Sequence, residues 1–182
     1  MTENVTEKLS TGTETLLMAR VDEGDRLWQT QLEQTIASIP WLRATMAHLT
    51  ALNDGTLQHD ASDSFVVTFD RASDAVACAL DLQLAPLEPF VLCIGIDTVE
   101  HTDPADEDGA ARLRDLAQGG QTLVSATTVA LAANRLPAYA TLQPLRAGLR
   151  NEPLFELDHP GLRRHTVLPH EPNPVGAQPR SN

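Results

Sequence analysis

Apolar-rich segments punctuate the chain at spacings that alternate between a period of two and a period near 3.6. Thr15-Leu16-Leu17-Met18-Ala19-Arg20-Val21 reads as a buried strand. The spacing next predicts a helix from about Gly24 to Ser38, closed by Pro40, and a second in which Leu42, Met46, Leu49 and Leu52 share one face. Asn53-Asp54-Gly55 signals a turn, after which Thr56 to His59 and Phe65 to Phe69 make a hairpin around the acidic connection Asp60 to Ser64. Arg71 to Leu84 is helical, with Ser73 as its N-cap and Val76, Leu80 and Leu84 aligned, and Pro86 and Pro89 end it.

Phe90 to Ile96 is almost wholly apolar, as a central strand covered on both faces should be. An acidic segment from His101 to Asp108 follows, then a helix from about Gly109 to Gln118 that stops at Gly119-Gly120. Thr122 to Ser125 reads as a short strand and Ala126 to Ala133 as a helix, with two edge strands near Ala140 to Leu142 and Leu154 to Leu157. The resulting order, βααββαβαβαββ, implies an α+β sheet with helices mainly on one face. Residues 1–12 are polar and expected to be disordered, and 163–182, with Pro169, Pro172, Pro174 and Pro179, read as a Pro-rich tail or linker around one domain at 13–162.

Composition narrows the function classes. At 182 residues and 42% apolar content the chain can bury one good core. A net charge of −12 with only 13 Lys and Arg argues against direct nucleic-acid binding, which needs clustered cations. The polar start and the lack of a run of about 20 apolar residues predict no leader and no membrane span, so the expected location is the cytoplasm. Cys78 and Cys93 lie in apolar segments without metal spacing and read as buried reduced thiols.

Four strings carry a resemblance: Val21-Asp22-Glu23-Gly24-Asp25-Arg26-Leu27-Trp28, Asp60-Ala61-Ser62-Asp63-Ser64-Phe65, Gly109 to Ala126 including Ala111-Arg112-Leu113-Arg114, and Leu154 to Leu162 ending in His159-Pro160-Gly161-Leu162. In this order and spacing they resemble the class III adenylate and guanylate cyclase domain, over about residues 13–162, in the style found at the front of bacterial cyclase-ATPase-LuxR-like transcriptional regulators. The resemblance implies a ferredoxin-like core, βααββαβ with additions. It also implies a reaction in which two Mg²⁺ or Mn²⁺ ions, held by a carboxylate of the first strand and one of the hairpin, activate the 3′-oxygen of a nucleoside triphosphate.

Carried over position by position, most of the reactive set is replaced. The hairpin carboxylate is Asp63, but the first-strand carboxylate falls on Arg20, a change from attraction to repulsion of a divalent ion worth several kcal/mol at about 5 Å and a dielectric of ~20. Asp22, two residues on, could stand in only if the strand register slipped. The base-reading Lys and Asp correspond to His59 and His101, and the transition-state Asn to Asp108. Arg112 keeps the transition-state Arg position, Arg146 stands for a phosphate-binding Lys, and Ser62 and Ser64 replace hairpin glycines. Plainer roles compete: Asp63 capping a turn or pairing with Arg20, Arg112 pairing with Asp108 one turn away, and His59 and His101 as lone surface histidines rather than zinc ligands.

Two functions remain open. One is a degenerate, catalytically inactive cyclase-homology domain that signals as a homodimer, or as a heterodimer with another cyclase-like chain, with a separately encoded ATPase and DNA-binding regulator as a further partner. It needs no cofactor. The other is a weak or atypical adenylate or guanylate cyclase, a phosphorus-oxygen lyase using Asp22, Asp63 and Arg112 with Mg²⁺ or Mn²⁺.

Overall fold

A computed structural model describes residues 12–61, 63–100, 108–145 and 152–162, apart from the side chain of Asp108. The elements run β1 (Thr13–Val21), α1 (Gly24–Thr30), α2 (Leu32–Leu52), β2 (Thr56–Asp60), β3 (Ser64–Phe69), α3 (Ala72–Leu84), β4 (Leu92–Glu100), α4 (Asp108–Leu116), β5 (Thr122–Ser125), α5 (Ala126–Ala132), a 3₁₀ turn at Ala133–Arg135, β6 (Thr141–Leu145) and β7 (Leu154–Asp158). This is the expected order of strands and α-helices. The seven strands form one sheet in the order β2-β3-β1-β4-β5-β7-β6. Only β4 and β5 pair in parallel, across α4, and the other pairs are antiparallel.

The alternation of side chains along the central strands decides which helices cover which face. Leu17, Ala19 and Val21 of β1, Phe65, Val67 and Phe69 of β3, and Leu92, Ile94 and Ile96 of β4 are buried in the main core with Leu42 and Met46 of α2 and Val76, Ala79 and Leu82 of α3. The intervening position Cys93 instead joins Leu113 of α4, Ala117 just beyond that helix, Leu123 and Leu154 in a smaller core on the opposite face. Helix α4 therefore covers that face while α2, α3 and α5 pack on the other. A buried chain of hydroxyls, Thr15 to Thr98 at 2.9 Å, Thr98 to Thr128 at 2.9 Å and Thr128 to Ser125 at 3.0 Å, ties β1 and β4 to the start of α5.

Several boundaries differ from the sequence expectation. The first two helices separate at Gln31, with φ −136° and ψ 40°, and α2 runs through Pro40. Proline costs a helix interior about 3 kcal/mol. Here Thr35 before it and Leu42 and Met46 after it are all buried, so the packing of one continuous helix outweighs the lost hydrogen bond. Ser73 is not the N-cap of α3. The helix begins at Ala72, two residues before the start that a Ser73 cap implies, after Arg71 in extended conformation, because Ala72, Ser73, Ala75 and Val76 are all buried. The apolar strand is shifted to Leu92–Glu100, since Phe90 closes a turn with its N–H donating to the Leu87 carbonyl at 2.8 Å. Helix α4 ends at Leu116, and Gly120, with φ 85°, takes the left-handed conformation that the glycine pair is suited to supply.

Candidate functional site

Arg20 is the penultimate residue of β1, aligned with Ser64 of β3 and Cys93 of β4. Because Ala19 and Val21 point into the main core, Arg20 points to the α4 face. There Nη1 lies 3.7 Å from Oδ1 of Asp22 and Nε lies 3.8 Å from Oδ1 of Asp115, with Arg20 and Asp22 each about one-third exposed. Asp115 also accepts a hydrogen bond from Nε of Arg114 at 2.9 Å. Two guanidinium groups and two carboxylates thus form a network with no formal charge left over. Gly119 makes room for it: a Cβ there would press on the Asp22 carboxylate.

Asp63 has different neighbours. Its carbonyl accepts the Val21 N–H at 2.8 Å, which fixes the hairpin against the end of β1. Asp63 is exposed and borders a small cleft with Val21, Gly24, Leu27 and Trp28, on the main-core side of β1. The expected Arg20–Asp63 pair is replaced by the pairs of Arg20 with Asp22 and Asp115. The register of β1 is regular from Thr13 to Val21 on β4, and the Asp22 N–H donates to the Val91 carbonyl at 2.8 Å, so no slip brings Asp22 to the Arg20 position.

The donor set that remains does not fit a pair of divalent ions. Two metals shared between carboxylates need anionic oxygens converging from both strands. One position offers a single exposed carboxylate and the other a guanidinium already matched by two acids. Among the described residues no group of three His, Cys, Asp or Glu side chains converges.

Arg112 is exposed on α4 and borders an open cleft of about 490 Å³ with Asp97 and Thr98 of β4, Ser125 and Thr127, and Glu152. The cleft lies at the carboxyl ends of the parallel strands β4 and β5, where α4 leaves to one face and α5 to the other. Such a divergence opens a crevice suited to ligands. Asp97 and Glu152 are not apparent as site residues in the sequence, because nothing in their linear spacing marks them. Asp97 does leave one trace, since Gly109 has no side chain where a Cβ would collide with its carboxylate. His59 is exposed on β2 beside a bulge, opposite Val66, and its neighbour Asp60 is 3.3 Å from Nε of Arg43. His101, Arg146, Ser62 and the Asp108 side chain lie outside the described residues, and with them the expected Arg112–Asp108 pair.

Beneath Arg20, burial pushes the Cys93 thiol up to about 12, while the Arg20 guanidinium pulls the other way and Asp22 and Asp115 reinforce the rise. Burial, with Asp81 nearby, likewise raises Cys78 to about 12. Both thiols are free and buried. A chromogenic disulfide added at pH 8 should therefore react with neither thiol of the folded chain, and with both in urea, at rates differing by ~100-fold or more. The unfolded thiols release protons near the ordinary value of 9.0 and the folded ones near 12, so the thiols' contribution to stability should be constant below pH 9 and be lost as pH rises from 9 towards 12.

No family model matches the chain. Two uncharacterized proteins of Mycobacterium tuberculosis are similar in sequence: one is 43% identical over 167 residues, covering 84% of this chain and 58% of its own length, and the other 40% identical over 169 residues, covering 82% and 66%. The chain thus spans less than two-thirds of the length of these relatives. Solved structures of similar fold include an adenylate cyclase of Trypanosoma brucei in its monomeric state (TM-score 0.70, 16% identity, 87% of this chain and 93% of that one). Others are the adenylyl cyclase CyaB from P. aeruginosa (0.66, 14%, 80% and 93%) and the guanylate cyclase domain of RhGC from Catenaria anguillulae in complex with GTP (0.67, 14%, 82% and 97%). The fold is that of the adenylate and guanylate cyclase catalytic domain.

Proposed function

We propose that this chain is a cyclase-fold domain that performs no cyclisation and acts in cytoplasmic signalling through protein contacts, as a homodimer or beside another cyclase-fold chain. An ATPase-bearing transcriptional regulator is the further partner that the sequence resemblance suggests. One observation carries the reading: the first-strand position that a cyclase needs for a metal-holding acid presents the Arg20 guanidinium, flanked by Asp22 and by Asp115, which it shares with Arg114. Taken alone, that cation repels a divalent ion at ~5 Å by roughly 7 kcal/mol at a dielectric of ~20, a figure lessened by solvent and by the Asp22 and Asp115 carboxylates beside it.

The Arg112 cleft remains compatible with a nucleotide bound without turnover. The test is an assay for cyclic AMP and cyclic GMP with purified chain, ATP or GTP, and Mg²⁺ or Mn²⁺. No product above a denatured control is expected. Product that disappears in Asp63→Ala would establish the alternative, a weak cyclase working through the hairpin carboxylate.

A further inference from the structure

Away from the Arg112 cleft, α2 and α3 leave an apolar groove of about 490 Å³ between Trp41, Leu49 and Leu52 on one side and Leu84 and Ala85 on the other, with Asp81 at its edge. Trp41 is 55% exposed and Leu52 64%, a large apolar surface for a helix pair that already has a sheet to cover. The indole is held in place, because Nε1 donates to the Pro86 carbonyl at 2.9 Å. The described chain leaves beside this groove. Gly161 lies so close to Leu84 that a Cβ on it would be 2.9 Å from Cδ2, and Leu162 packs against the main core.

We infer that the groove is the docking site of the chain's own segment 163–182, seated through Val167, Leu168 and Pro169. Eight residues from Gly161 to Pro169 can reach about 26 Å, and the helix from Trp41 to Leu52 is about 16 Å long, so the tether spans the groove. The segment carries Pro169, Pro172 and Pro174, and proline narrows the freedom of the free chain, so seating such a segment against the Trp41 indole costs little entropy. Arg163 and Arg164 precede the apolar triplet and complement Asp81 and the net charge of −12. Attachment to the same chain supplies an effective concentration on the order of millimolar, so weak contacts suffice.

Acrylamide quenching of Trp41 tests this in full-length chain carrying Trp28→Phe. Val167→Asp with Leu168→Asp should raise the quenching constant about twofold as the indole is uncovered, at every protein concentration, and a synthetic peptide of residues 163–182 should lower it again. Hydrogen exchange of the amides of residues 44–52, in chain retaining both tryptophans, should be faster in the same double variant. Equal quenching and exchange in natural and substituted chains would overturn the inference. So would shielding of Trp41 that grows with concentration alike in both, since a second copy would then fill the groove.

Discussion

Gly95→Val is expected to destabilise this chain by about 3 kcal/mol or more, and to detach α4 from the sheet. Gly95 lies on the α4 side of β4, opposite Met18, where the helix backbone rests directly on the strand. A Cβ at Gly95 would collide with the Ala110 carbonyl oxygen and the Arg114 amide nitrogen, and would approach the Leu113 carbonyl carbon to 2.9 Å. These are backbone atoms, so no rotamer change relieves the clash. The helix must lift, which uncovers Cys93, Leu123 and Leu154 and moves Arg112, Arg114 and Asp115 together. Urea unfolding followed by circular dichroism measures the loss, with Gly24→Ala as a control because nothing lies within 4 Å of its Cβ position. Equal midpoints for Gly95→Val and the natural chain would refute the packing described for α4.

Arg20→Asp should have the opposite character, creating a site for a divalent ion. The network of Arg20, Asp22, Arg114 and Asp115 sums to zero formal charge, and the substitution brings it to −2 by removing one cation and adding one anion. Three carboxylates then crowd one end of α4, and at ~4 Å each pair repels by about 4 kcal/mol at a dielectric of ~20. A divalent ion relieves that repulsion and gains the attraction instead. Mn²⁺ titration should therefore show binding tighter than that of the natural chain by ~100-fold or more. The variant should also be less stable without the metal and recover when it is added. Arg20→Gln separates the two effects, because it relieves the repulsion of the ion without supplying a ligand and should leave Mn²⁺ binding weak.

The contrast between fold and site explains what the sequence could disclose. Strand and helix order follow from local periodicity, so alternation alone assigns Leu17, Ala19 and Val21 on one strand and Phe65, Val67 and Phe69 on another to a buried face. The hairpin around Asp63 and the glycine stop after α4 are equally plain, because turn chemistry is local. Pro40 misleads, since its local cost is offset by the packing of residues on both sides of it. The partners of Arg20 are not legible in the sequence: Asp115 is distant along the chain and comes close only because glycine at 95 lets α4 sit down on β4. That dependence on a close backbone approach is tertiary, and no spacing rule encodes it. For the same reason Asp97 and Glu152, which join Arg112 at the divergence of α4 and α5, emerge only from the three-dimensional arrangement.

The most direct measurement is the paramagnetic resonance of Mn²⁺ titrated into the natural chain with a non-reactive triphosphate analogue of ATP or GTP. The chain should retain no Mn²⁺ beyond what the nucleotide itself carries, because the guanidinium at position 20 leaves no second acid to share the ions. Two Mn²⁺ retained per chain with the triphosphate, and released on Asp63→Ala, would contradict the account.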